Sequence, residues 1–192
     1  MLASEEIKYL QKKICVDSDT HAFSQIYMAF MPRLLQFAQS IIKNKELSEE
    51  IVSDVFIKVW QIRDRLCEIE NFKLYLFVST KNTALNYLSR HFRKDGLSLD
   101  DISVNISSIN FNPEQILITT ELVNRINIII NNLPSRCKLI FKLAKEDGLK
   151  YKEISHLLGI SVKTIDNQIA IAVTKIGKAI NFDLEIASKR NP

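Results

Sequence analysis

Glycine and proline are scarce in this chain, with four of each among 192 residues. So few backbone breakers argue for long helices joined by few tight turns, and strand-like alternation is weak throughout. Cysteine is scarce too. Cys15, Cys67 and Cys137 lie far apart in the sequence with no CxxC, and His21, His91 and His156 are isolated. That spacing excludes the usual zinc-site and disulfide frameworks and leaves free thiols in a reducing cytosol as the expectation. No apolar run reaches the ~20 residues needed to span a bilayer. The N-terminus lacks the basic segment and apolar core of a signal peptide. There is no nucleophile beside a base, no glycine-rich phosphate loop and no carboxylate pair in a defined site. The expectation is a cytoplasmic protein that is not an enzyme and has no cofactor, no metal and no small-molecule substrate.

What is present is a soluble globular composition, 46% hydrophobic and 25% charged, enough for one large domain or two small ones. The net charge of +4 is a mild excess, and its distribution says more. Residues 1–95 carry 14 basic and 12 acidic side chains, residues 96–113 none and two, and residues 114–192 twelve and eight. Two basic parts flank an acidic connector, a pattern compatible with a nucleic-acid partner.

Helical periodicity dominates. Asp17 to Thr20 offer capping side chains before Phe23, Ile26, Tyr27 and Phe30, spaced by three and four. Pro32 is best placed at the first position of a new helix, where its missing N–H costs nothing; that helix carries Leu34, Leu35, Ala38, Ile41 and Ile42. Ser48 is the expected cap of the next helix, with Glu49 and Glu50 in its first turn and a stripe of Ile51, Val52, Val55, Phe56, Val59 and Trp60. Asn71 caps a further helix reaching about Arg93. On it, Leu74, Phe77, Val78, Leu85, Leu88 and Phe92 form an apolar stripe, and Tyr75, Ser79, Asn82, Asn86, Ser89, Arg90 and Arg93 form a second, polar one. No acid occurs from Asn82 to Lys94. A solvated face normally mixes both signs; asparagines, a tyrosine and arginines without acids suit a nucleic-acid surface.

Residues 93–112 read as a linker rich in Ser, Asn and Asp. Asn112-Pro113-Glu114 starts a helix carrying Ile116, Leu117, Val123, Ile126 and Ile130. Pro134 marks another start, and Gly148 its end. The densest signal follows. Tyr151 to Leu158 is a short amphipathic helix, Gly159 suits the left-handed position after it, Ile160 packs inward, and Ser161 caps a helix with the stripe Val162, Ile165, Ile169, Ala172 and Ile176. Lys163, Thr164, Asn167 and Gln168 then face away together. This is a helix-turn-helix, whose second helix enters a DNA major groove. Asn and Gln pair in bidentate fashion with adenine, and Lys with guanine or phosphate.

Three segments in this order resemble the extracytoplasmic-function (group IV) sigma factors of bacterial RNA polymerase. They are Leu47-Ser-Glu-Glu-Ile-Val-Ser-Asp-Val-Phe-Ile-Lys-Val-Trp60, the stretch from Phe72 to Leu88, and Leu133 to Ile165 with its helix-turn-helix. The resemblance implies that Glu50, Asp54, Val55 and Trp60 meet the clamp of the polymerase core, with simple core packing the alternative for Val55 and Trp60. It implies that residues 61–71, with Arg63 and Arg65, capture an unstacked base of the promoter −10 element. Tyr75, Ser79, Asn82 and Asn86 would line the non-template strand, with Arg90 and Arg93 on its phosphates, and Lys163, Thr164, Asn167 and Gln168 would read the −35 element. It further implies an anti-sigma partner, often membrane-anchored in this family. Ile169-Ala-Ile-Ala-Val173 departs from the arginine-richer family pattern.

The expected fold is all-α: two helical domains joined by a flexible linker. Residues 1–94 would form sigma domain two, 95–112 the linker, and 113–192 sigma domain four with the helix-turn-helix. The expected partners are RNA polymerase core, promoter DNA and an anti-sigma factor. The competing reading is a free-standing dimeric helix-turn-helix regulator.

Overall fold

The computed structural model describes residues 2–94 and 127–190, with side chains to residue 90 and from 127 to 178. Every regular element among them is helical. The chain divides into two compact units, Met1–Asn105 and Ile106–Pro192. The expected linker at 95–112, the start at Asn112 to Glu114, the stripe positions Ile116, Leu117, Val123 and Ile126, and the side chains of Phe92 and Arg93 lie outside the described residues.

The first unit opens with a helix the stripes above do not include, α1 (Ser4–Asp17). Ile7, Leu10 and Ile14, spaced by three and four, form its buried face. α2 (Thr20–Ile42) follows, capped by Asp19, whose Oδ1 accepts the His21 and Ala22 N–H groups at 2.8 and 3.0 Å. Pro32 does not start a new helix; it sits inside α2. Ala22, Ile26, Phe30, Leu34 and Phe37 form one unbroken buried stripe across it. Pro32 and Met28, whose carbonyl loses its partner to the proline, are both on the exposed side, where water can satisfy the orphaned group.

α3 (Lys45–Gln61) begins a turn earlier than expected. Asn44 is its cap, accepting the Leu47 N–H at 2.9 Å. Ser48 is buried inside the helix and returns its hydroxyl to the Asn44 carbonyl at 2.6 Å. A 3₁₀ turn, Arg63–Glu68, leads to α4 (Phe72–Lys94), whose cap is Asn71 as expected, 3.0 Å from the Leu74 N–H. α4 packs on both α2 and α3, so its buried stripe is rotated from the expected one. Phe72, Leu76, Phe77, Thr80 and Ala84 are buried, whereas Leu74, Val78, Leu85 and Leu88 are only half-buried. Phe77 meets Phe37 edge-on at 5.2 Å.

In the second unit a helical turn at 127–131 precedes α5 (Ser135–Phe141), with Pro134 at its N-cap. α5 runs into a π-helical turn, Lys142–Glu146, and ends at Gly148, φ +64°. α6 (Tyr151–Leu158) and α7 (Val162–Arg190) complete the unit. Ile130, Leu133, Cys137 and Ala172 form a buried cluster with Phe141 and Ile176 against it. α5 and α6 both pack on α7.

Candidate nucleic-acid interface

The turn between α6 and α7 is built from short-range chemistry. Gly159 takes φ +66°, a conformation that penalises a Cβ. The Ser155 hydroxyl donates to the Ile160 carbonyl at 2.6 Å, and Ile160 is half-buried. Ser161 Oγ accepts the Thr164 N–H at 3.1 Å. Ile154, Leu157 and Ile165 are buried and fix the crossing of the two helices. Lys163 and Asn167 are exposed on the far side of α7, with Thr164 and Gln168 half-buried at its margin. The Thr164 hydroxyl is 2.9 Å from Ser161 Oγ, so it belongs partly to the cap. The Gln168 carbonyl accepts a hydrogen bond from Cys137 at 3.2 Å. Val162, expected in the stripe, is instead exposed at 39%, and Ile171 and Val173 are exposed further along. The α7 face therefore presents few charges. Lys150 and Lys152 are exposed at the start of α6, where the first helix of such a motif crosses the phosphate backbone; the sequence pattern alone does not single them out.

In the first unit, Asn82, Asn86 and Arg90 are exposed on one face of α4, and Tyr75, Ser79 and Ser89 are half-buried on the same line. Tyr75 stacks on buried Phe72, 6.3 Å between centroids and 14° between planes, which fixes its ring. Beside Asn86 and Arg90 runs a shallow groove that Glu50, Asp54, Lys58 and Thr83 also line. α4 itself carries no acid along this face, but α3 brings two carboxylates to its flank. Lys58 Nζ reaches Thr83 Oγ1 at 3.4 Å across the groove. Glu50 and Asp54 are exposed, whereas Val55 is wholly buried. Val55 is core and supports that surface from beneath. Trp60 is half-buried, with its ring 5.0 Å from Phe23 and the Arg63 guanidinium 5.2 Å above it.

Residues 61–71 are not an open loop. Leu66 is fully buried at the centre of the 3₁₀ turn. Gln11 of α1, also buried, donates to the carbonyls of Leu66 and Ile69, the latter at 2.8 Å. Cys15 lies within hydrogen-bond range of the Asp64 carbonyl, 3.4 Å, and of the Cys67 N–H, 3.3 Å. The helix that the sequence pattern passes over is thus what holds this segment. Arg63 is committed inward: besides Trp60 it donates to Ser18 Oγ at 3.1 Å and to the Trp60 carbonyl at 3.2 Å. Arg65 is exposed and pairs with Glu68 at 3.3 Å, an arrangement worth little in water and easily exchanged for another anion.

No group of three or more metal-ligating side chains occurs among the described residues. No helix among them is long and apolar enough to cross a membrane.

Comparison with known proteins joins these two surfaces. The Sigma-70 region 2 family model matches residues 26–94, and the Sigma-70, region 4 model matches residues 126–176. The chain is 25% identical over 161 residues to the ECF RNA polymerase sigma-E factor of Escherichia coli (strain K12), covering 79% of this chain and 82% of that one. It is 23% identical over 159 residues to the protein of the same name from Haemophilus influenzae, covering 79% and 83%. The fold is similar to that of the sigma factor RpoE solved with the anti-sigma factor NepR from Bartonella quintana, with a TM-score of 0.52, 21% identity, and 84% and 98% of the two chains covered. Region 2 holds the asparagine face of α4, region 4 holds the helix-turn-helix, and the two matches together span more than half of the chain: the protein belongs to the sigma-70 family of RNA polymerase sigma factors.

Proposed function

We propose that this chain is a non-catalytic, cytoplasmic subunit that binds core RNA polymerase and directs it to promoters with two unlike boxes. In this reading residues 1–94 act as sigma domain two, 95–112 as the linker and 113–192 as domain four. Glu50 and Asp54, with Trp60 at the end of α3, meet the polymerase clamp. Asn82, Asn86 and Arg90 take the non-template strand, and Arg93 lies on the same helical line. The 3₁₀ segment with Arg65 receives a base of the −10 element. Lys163 and Asn167 read the −35 element, with Thr164 and Gln168 at the edge of the contact. Opening duplex DNA leaves bases without partners at a cost of a few kcal/mol each, and side-chain amides can hydrogen-bond the exposed edges.

The observation that carries the reading is the exposed Asn82–Asn86–Arg90 line inside the region 2 match. A free-standing dimeric regulator is not favoured, because the part that would serve as its dimerisation module is the part that matches region 2. The Bartonella sigma factor was solved with an anti-sigma partner, and an anti-sigma protein is the regulator proposed here as well. The test is gel filtration with purified core polymerase. A one-to-one complex is expected at micromolar concentration; folded chain eluting apart from core would overturn the reading.

A further inference from the structure

Cys15 and Cys67 are separated by 52 residues of sequence, yet they meet in the fold. The Cys67 N–H points at Cys15 Sγ at 3.3 Å, and Cys15 Sγ lies 3.4 Å from the Asp64 carbonyl of the same turn. With ordinary bond lengths the N–H contact bounds the two Cα atoms within about 8 Å; a disulfide spans less than about 7 Å, so at that bound closing the bond draws the 3₁₀ turn towards α1. Cys67 is exposed and Cys15 half-buried, so solvent reaches the pair; Cys137 is buried and 3.2 Å from the Gln168 carbonyl. The pair also occupies a consequential position. Cys15 is on α1, and Cys67 is in the 3₁₀ turn that Gln11 holds from the same helix.

We propose that Cys15 and Cys67 form a reversible redox latch that joins α1 to the 3₁₀ segment and, when closed, restrains the base-receiving part of the −10 surface. The functional half rests on the reading of residues 61–71 given above. The chemistry balances with a peroxide as oxidant. One thiolate sulfur attacks the peroxide, the O–O bond breaks, and a sulfenic acid and water form. The second thiol then displaces water from the sulfenic sulfur, giving the S–S bond. Each cysteine loses one proton and one electron, and the peroxide takes up two of each to become two waters. A dithiol reductant reverses the step by exchange.

The hydrogen bond with Cys15, more than burial, holds the Cys67 thiol above its ordinary value, with the Lys12 charge acting the other way. Attack by the Cys67 sulfur is therefore slowed near neutral pH, because the thiolate is the nucleophile. Once closed, the bond is also slow to open with Cys67 as the leaving sulfur, since a thiol of raised pKa is a poor leaving group.

The test uses the full chain, reduced or treated with hydrogen peroxide, alongside Cys15→Ser and Cys67→Ser, each compared with itself in the two states. Intact mass and peptide mapping should show loss of two hydrogens through an intramolecular Cys15–Cys67 bond, restored by dithiothreitol and absent from both variants. Oxidation that yields only intermolecular bonds, or that engages Cys137 first, overturns the latch. With core polymerase, oxidation of the wild-type chain should lower open-complex formation about tenfold, the scale of one lost base contact, while both variants keep their reduced-state level. A closed bond with unchanged open-complex formation overturns the regulatory role. Exchange of the 61–71 segment in the reduced chain is scored in parallel. If it leaves −10 preference unchanged, the base-receiving assignment fails, whatever the thiols do.

Discussion

The Gln11 side-chain amide donates to the Ile69 carbonyl at 2.8 Å across 58 residues of sequence, and it also serves the carbonyl of Leu66. One buried amide thereby fixes where the 3₁₀ turn ends relative to α1. Gln11→Leu fills similar space and leaves two carbonyls without that donor. The expected cost is about 1–3 kcal/mol, read as a lower denaturant midpoint with an unchanged slope. Gln11→Glu should cost more, because a carboxylate cannot donate to a carbonyl. Equal stability of wild type and both variants would show that the amide bonds do not hold the turn.

Asn82→Ala tests melting on its own. The side chain is exposed on α4, so folding should be unaffected within about 0.5 kcal/mol. Closed-complex formation should persist while promoter thymines lose permanganate reactivity. Undiminished reactivity would remove Asn82 from the strand-opening surface.

On α7, Asn167→Ala should change −35 preference more than Gln168→Ala, since Asn167 is exposed and Gln168 half-buried. A bidentate contact is worth about 1–3 kcal/mol of discrimination. Binding selections from a randomised −35 box give the comparison. If polymerase affinity changes and promoter choice does not, that face of α7 is misassigned.

Asp19 makes the first unit acid-sensitive. The Ala22 N–H, and secondarily that of His21, hold its acid below the ordinary value of 3.8. A depressed folded-state value contributes stability that is present above the unfolded value and is lost as pH falls through the folded one. Asp19→Asn keeps a capping oxygen and cannot titrate. The wild-type advantage over Asp19→Asn should therefore be full above about pH 5 and vanish in stronger acid. A difference constant from neutral pH to strong acid, followed by urea midpoints, would contradict this.

Much of the architecture is written in short-range signals. Asn71, Gly159 and Ser161 each satisfy or permit one backbone geometry, and each stands where its chemistry predicts. The departures have tertiary causes. The identity of residue 32 does not say whether a proline breaks a helix; that depends on whether the Met28 carbonyl faces solvent, which only packing decides. The rotation of the α4 stripe follows from its burial against two helices at once, so Leu76 and the small Ala84 are buried while Leu85 and Leu88 are only half-buried. The asparagine line of α4 was legible because unlike faces of one helix separate by period alone. The supports of residues 61–71 were not, because Gln11 and Cys15 reach that segment across more than 40 residues of sequence and nothing local marks them. The Ile7–Leu10–Ile14 spacing was available in the sequence, though it is short and set in a polar stretch.

The most direct test of the central claim is single-round transcription with purified core polymerase on a library of genomic fragments. The account predicts discrete transcripts only when this chain is added, starting downstream of two unlike boxes, and lost with Asn82→Ala. Core polymerase that stays inactive with this chain, yet responds to a sigma factor known to work with it, would contradict the assignment.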